Sequence, residues 1–282
     1  MAISIHTNYA ALLTQTNMAK SNTALGVSQQ RLGTGFRVNS AADDAAGLQI
    51  ATRLNAQARG QSVAQRNAQD GISLLQTAEG ALNEFSNIVL RMKDLASQSA
   101  NGTNSDDDRA ALDAEFTELA AELENIISNT SYGADNPLFS GATAKLGTAL
   151  TLQIGSSTAE STDVDVSTQI GDITSNTVIG GASGAINTLA AANTMIDTLD
   201  DLLADVGTAR GALGANINRL NHTINNLANM ADNTNTAMGR IMDTDFAAES
   251  TKMTKQNMLM QSSVAMLKQT SQMGGLALSL LG

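Results

Sequence analysis

From Ile196 to Ile241 the chain repeats an apolar stripe with steps that alternate three and four without a slip. The positions are Ile196, Leu199, Leu203, Val206, Arg210, Leu213, Ile217, Leu220, Ile224, Leu227, Ala231, Thr234, Met238 and Ile241. More than six heptads in register mark a helix packed along its whole length against other helices. At 1.5 Å per residue such a helix is roughly 70 Å long, wider than a compact domain of this size. A second stripe of the same length runs through Ala51, Leu54, Ala58, Gln61, Gln65, Ala68, Ile72, Leu75, Ala78, Leu82, Phe85, Val89, Met92 and Ala96. Two long helices thus organise the fold. Composition allows it: one Pro in 282 residues leaves little to break a helix, and seven aromatic residues are too few to fill a thick globular interior.

A third helix follows a stop at Asn101-Gly102. Ser105 and the acids Asp106, Asp107 and Asp108 supply a cap and favourable charge at its start, and Leu112, Phe116, Leu119, Leu123 and Ile126 form its apolar face. The triple Asp lacks the alternating acids, central Gly and terminal Glu of a calcium loop, so it reads as capping. Between 131 and 185 the period shortens to two. Leu150, Leu152 and Ile154 alternate with Thr and Gln, and Val164 and Val166 with Asp, which predicts a hairpin within a hydroxyl-rich, solvated insertion.

The ends differ from the middle in charge. Residues 1–42 and 250–282 contain no Asp or Glu and carry +3 each, whereas the interval between them holds all 27 acids and carries −17. Both ends have helical period. Ile5, Tyr9, Leu12, Thr16, Ala19 and Thr23 make one narrow stripe, widened by Leu13, Met18, Leu25 and Leu32; Phe246, Ser250, Met253, Asn257, Met260, Val264 and Leu267 make another. Polar residues interrupt both, so each helix is marginal in water until a partner covers it. Eight of the twelve Met residues lie between 230 and 282, side chains that repack readily.

Several functions lack material. The net charge of −11 offers no basic surface for nucleic acid, no stretch is long and apolar enough to cross a bilayer, and no secretory signal is expected from the first residues. There is no Cys, and His6 and His222 stand apart without a ligand set or a nucleophile, so no metal, cofactor or catalytic constellation is read. The chain is not expected to be an enzyme.

Two long segments resemble a known family. RLGTGFRVNSAADDAAGLQIATRLNAQARG from Arg31, with QRNAQDGISLLQTAEGALNE at 65–84, is similar to the N-terminal signature of bacterial flagellins. RGALGANINRLNHTINNLANMADNTNTAMGRIMDTDFAAES at 210–250, the closing LSLL, and LTLQIG at 150–155 resemble the remainder of the pattern. The implied fold is mostly α, a long antiparallel helical bundle or coiled coil with a small β-hairpin subdomain, folded back so that the N- and C-terminal helices pair. Expected boundaries are 1–45 and 241–282 for the two halves of an inner core domain, 46–132 and 185–240 for the outer helical domain, and 133–184 for the variable region.

The resemblance implies a subunit of the flagellar filament, secreted and extracellular. Its partners would be other copies of itself, an export chaperone, the flagellar secretion apparatus, and the filament cap and hook-filament junction proteins; a Toll-like receptor of animals would be a further one, with no nucleic acid and no membrane among them. Arg91, Leu95 and Glu118 match the positions of the receptor patch. Leu12, Leu25 and Leu32 against Val264, Leu267 and Leu278 are expected to form the polymerisation core, and Gly33, Gly35, Arg37 and Asn39 the link between layers. The ends, uncovered in a single subunit, are expected to become helical on assembly and to line the central channel. The alternative is a hook-filament junction protein of the same superfamily. A coiled-coil signalling module would need a membrane segment or input domain, and an inserted peptidase an HExxH motif; the sequence has neither.

Overall fold

The single proline, Pro137, lies outside the helices, and the two long stripes form uninterrupted helices of 55 and 54 residues. In a computed structural model of the chain, residues 8–133, 136–141, 144–176, 178 and 186–279 are described, with side chains to residue 272. The elements are α1 (Tyr9–Thr34), α2 (Ala45–Ser99), α3 (Asp106–Asn129), β1 (Leu150–Gln153), β2 (Ser161–Val164), α4 (Ser167–Thr174), α5 (Leu189–Met242) and α6 (Phe246–Ser279). The expected fold class is therefore the one observed. Packing divides the chain into two units, residues 1–56 with 233–282 and residues 57–232, and the division falls inside α2 and α5 rather than at their ends.

The unit spanning 57–232 is a bundle of α2, α3 and α5. The stripe residues Leu75, Ala78, Leu82, Phe85, Val89, Met92 and Ala96 of α2 are buried, as are Leu199, Val206, Leu213 and Leu220 of α5 and Phe116 and Leu123 of α3. α2 and α5 run antiparallel, because Ser99 Oγ donates to the Ile186 carbonyl near one end while Lys93 pairs with Asp200 further along. α3 turns back on α2 through a salt bridge from Arg91 to Glu115 at 2.6 Å and through Arg109, whose buried guanidinium donates to the carbonyls of Ser99, Asn101 and Asn104.

The start of α3 is a capping box: Ser105 Oγ accepts from the Asp108 N–H at 3.2 Å, and Asp108 Oδ2 accepts from the Ser105 N–H at 3.0 Å. Replacing Ser105 by Ala removes one of these partners, and thermal unfolding of this unit should show a loss of about 1 kcal/mol.

The predicted hairpin forms, with β1 antiparallel to β2 and Leu150 opposite Val164. It lies on the bundle, where Asn67 Nδ2 donates to the Gln153 carbonyl at 3.0 Å and Arg219 to the Asp163 carbonyl at 3.3 Å. Gly71 permits the approach: a Cβ there would fall 2.6 Å from Leu152 Cδ1. Two features of this region differ from the sequence reading. The short helix α4 was not expected, since its eight residues hold too few turns to establish a period against the surrounding Thr and Ser. Nor is the insertion a solvated loop. Leu138, Phe139, Leu146, Val164, Val166, Ile170, Ile173 and Ile186 are buried in the same cluster as the helix stripes. The apolar residues are scattered at irregular spacing, so periodicity does not reveal that they share a destination.

Candidate assembly surface

The other unit brings the acid-free ends together. α1 and α6 pair antiparallel: Asn8 Nδ2 at the start of α1 donates to the Thr270 carbonyl of α6 at 3.1 Å, and Ser28 near its end donates to Glu249 at 2.6 Å. The facing positions of α1 are Ala11, Thr14, Met18, Ser21, Leu25, Ser28 and Leu32, all buried or half-buried. Those of α6 are Glu249, Met253, Gln256, Met260, Ser263, Leu267 and Thr270. Both sets keep the three-four spacing of a coiled-coil seam. On α1 this seam takes Met18, Leu25 and Leu32 from the widened edge of the stripe read from the sequence, not its central row. Tyr9, Leu12, Thr16, Ala19 and Thr23 all face outward, and the helix is rotated so that smaller and more polar residues meet its partner. On α6 the reading is half right, with Met253, Asn257, Met260 and Leu267 half-buried and Phe246, Ser250 and Val264 exposed.

Many of the large apolar side chains are consequently on the outside. Tyr9 is 71% exposed, Leu12 52% and Leu13 51%; on α6, Phe246, Met258, Leu259, Val264 and Met266 are also exposed. Of the six residues expected in the polymerisation core, Leu12 and Val264 stand on this outer surface, Leu25 is buried in the seam, and Leu32 and Leu267 are half-buried within it. The side chain of Leu278 lies outside the described residues.

One carboxylate is set into the seam. Glu249, 4% exposed, accepts from Ser28 Oγ, from Lys252 Nζ at 3.2 Å, and lies 3.8 Å from Arg31. The Ser28 hydrogen bond, aided by Lys252 and Arg31, holds its carboxyl below the ordinary glutamate value against the opposing effect of burial. A carboxyl whose folded value is depressed contributes stability that is complete above its unfolded value and is lost as pH falls through the folded one. The α1–α6 pairing should therefore weaken from about pH 4.3 downward. Circular dichroism should show the weakening, and Glu249→Gln should abolish that part of the acid dependence.

The link between α1 and α2 is built from several small devices. Gly35 closes α1 in the left-handed conformation (φ 76°), its N–H bonding to the Arg31 carbonyl. The Gly35 carbonyl accepts from Thr244 N–H at 3.0 Å, Arg37 donates to the carbonyls of Met242 and Ile241, and Phe36 bridges Asp243. Asn39 Nδ2 donates to the Phe36 carbonyl at 2.9 Å. Gly33 lies within α1, in a position with space for a side chain and no unusual backbone angle. Sequence reading missed Asp43, whose carboxylate accepts from the Ser40 hydroxyl and from the N–H groups of Ser40 and Asn39, contacts that depress its pKa and shape the turn into α2. The signal was the Asn39-Ser40-x-x-Asp43 spacing, an acid within reach of the turn amides.

The remaining three expected residues fall in the other unit. Arg91 and Glu118 are exposed, but Arg91 pairs with Glu115, and Leu95 is 1% exposed within the core. A molecule docking on this face therefore touches Arg91 and Glu118 but not Leu95. His222 is exposed, and His6 lies outside the described residues. No described helix is long and apolar enough to cross a membrane.

This arrangement has known relatives. Residues 5–144 match the bacterial flagellin N-terminal helical region and residues 196–281 the bacterial flagellin C-terminal helical region. The chain is 37% identical to flagellin D of Vibrio cholerae serotype O1 and 34% identical to polar flagellin B/D of Vibrio parahaemolyticus serotype O3:K6, covering 100% of both chains in each case. A solved structure from Vibrio parahaemolyticus described as a flagellar hook-associated protein aligns with a TM-score of 0.57 over 71% of this chain and 100% of that one. At 17% identity it shares the fold alone, so it does not favour the junction-protein alternative. Both terminal regions and full-length relatives point the same way: the chain belongs to the bacterial flagellin family, structural proteins and not enzymes, whose copies assemble into the helical filament outside the cell.

Proposed function

We propose that α1 and α6 are the elements through which copies of this chain join, and that they complete their folding in the filament, where they line its channel. The observation that carries this reading is the number of large apolar side chains the pair leaves uncovered beside a seam that is half polar. Its internal seam mixes Ala11, Thr14, Ser21, Ser28, Gln256, Ser263 and Thr270 with Met18, Leu25, Leu32, Met253, Met260 and Leu267, while Tyr9, Leu12, Leu13, Phe246, Met258, Leu259, Val264 and Met266 remain exposed. Eight exposed large apolar side chains on one helix pair are a surface suited to a partner. Burying each such side chain contributes about 1.5–3 kcal/mol, which neighbouring copies can supply and the isolated pair cannot. Helices this weakly covered are marginal alone, so ordering and association occur together.

In a filament the contacts between copies are heterologous and their rotation does not close into a ring, so the assembly extends as a shaft. Export through the flagellar secretion apparatus with a chaperone on the C-terminal segment, and contacts with cap and junction proteins at the shaft's ends, belong to the same reading, supported by family membership. A receptor contact would rest on Arg91 and Glu118.

The test is to follow the purified full-length chain by circular dichroism and electron microscopy as it is brought to polymerising conditions. Filaments should appear together with a rise in helix content. Filaments without that rise, or a fully helical chain that never polymerises, would refute the proposal.

A further inference from the structure

Asn101-Gly102, the stop between α2 and α3, is the only Asn-Gly pair in the sequence, and its surroundings have a chemistry that helix termination does not use. Asn101 and Gly102 are both exposed. The Asn101 side-chain carbonyl accepts from the Thr103 N–H at 3.2 Å, which draws electron density from its carbon. The Gly102 N–H, next along the chain, makes no hydrogen bond among the described residues, and neither does the Asn101 Nδ2. An electrophilic carbon, an unengaged amide nucleophile and an unengaged leaving amine therefore lie within one dipeptide, and glycine puts no side chain in the way.

We propose that Asn101 is a self-modifying site. The Gly102 amide nitrogen, deprotonated by hydroxide, forms a bond to Asn101 Cγ, and the Cγ–Nδ2 bond breaks to release ammonia, leaving a five-membered imide. Water then opens either imide carbonyl, giving aspartate when the ordinary peptide bond is restored and isoaspartate when the main chain is rerouted through the former side chain. No oxidation or reduction occurs, and solvent is the only co-reactant.

The site matters because of what holds the loop. The Asn101 carbonyl accepts from Arg109 Nη2 at 3.1 Å, beside the Asn104 carbonyl at 3.3 Å, and the same guanidinium bonds Ser99 at the end of α2. Isoaspartate inserts an extra methylene into the main chain at this point and turns the Asn101 carbonyl, one of the three acceptors, into a free carboxylate. The conversion thus alters both the geometry and the charge of the clamp that joins α2 to α3. In a structural protein that stays outside the cell, it accumulates with the age of the subunit.

Incubation of the full-length protein in mildly alkaline buffer, followed by tryptic digestion and tandem mass spectrometry, tests this directly. The peptide 94–109 should gain one mass unit at Asn101 faster than any other asparagine in the chain, with an isoaspartate isomer separating from the aspartate form, and the rate should rise with pH. Gly102→Ala should slow the gain several-fold. That variant has open space around its Cβ and no left-handed backbone angle, so it keeps the fold. Conversion at Asn101 no faster than at other asparagines, conversion at Asn104 instead, or an unchanged rate in Gly102→Ala would overturn the proposal.

Discussion

A fragment lacking residues 1–42 and 247–282 should remain soluble and helical and form no filament under conditions in which the full chain does. The unit spanning 57–232 has its own core, with Leu75, Leu82, Phe85, Phe116, Leu123, Leu199 and Leu213 buried in one cluster whose members all come from that unit. Its folding does not draw on α1 or α6. Removing the ends, by contrast, deletes Tyr9, Leu12, Leu13, Met258, Leu259, Val264 and Met266, all the exposed apolar residues of the pair named above except Phe246, together with the seam behind them. The expected effect on assembly is complete loss, read by electron microscopy and sedimentation, against a thermal transition of the central bundle that persists. Filaments grown from the fragment would show that copies join through the bundle instead.

The second large effect is on stability. Phe85 and Phe116 are both fully buried in a chain with only five Phe and no Trp. Scarcity raises their importance, because few other side chains in the bundle have comparable volume. Phe85→Ala should cost about 3–5 kcal/mol, the sum of lost transfer energy and the cavity left behind. For a unit of this size that lowers the midpoint of thermal unfolding by roughly 6–20 °C. Calorimetry of the full chain checks it. A loss below about 1 kcal/mol would mean that the bundle collapses around the vacancy and is less tightly packed than the burial indicates. The variant also separates the roles of the two units, since Phe85 belongs to a core cluster whose members all come from residues 57–232, and its filaments should form normally below the lowered midpoint.

The long helices and their buried faces were legible because a stripe of Leu, Ile, Phe and Val at three-four spacing admits one reading when it runs for six heptads. Residues 51–96 are buried or half-buried at every stripe position, the polar Gln61 included. The hairpin was legible from its alternation, and the cap of α3 from Ser105 and three acids. The terminal pair was legible only in part. Its period and its missing acids can be read along the chain, and they suggest two helices seeking cover.

Which face of α1 meets α6 cannot be read that way, because its large apolar residues are divided between faces: Met18, Leu25 and Leu32 lie in the seam, and Tyr9, Leu12 and Leu13 outside it. Sequence patterns equate apolar with buried. Here Leu12 and Val264 face outward while Ser28 and Glu249 meet inside, and only the placement of two segments more than 200 residues apart makes that hydrogen bond available. The buried insertion residues escaped notice for a related reason, since irregular spacing becomes a common surface only when loops and α4 fold over the bundle. The sequence alone determined that this chain builds long helices with polar-interrupted, acid-free ends. Tertiary structure decided how those ends spend their surface, because a helix has several usable faces and the partner's shape and polar groups select one.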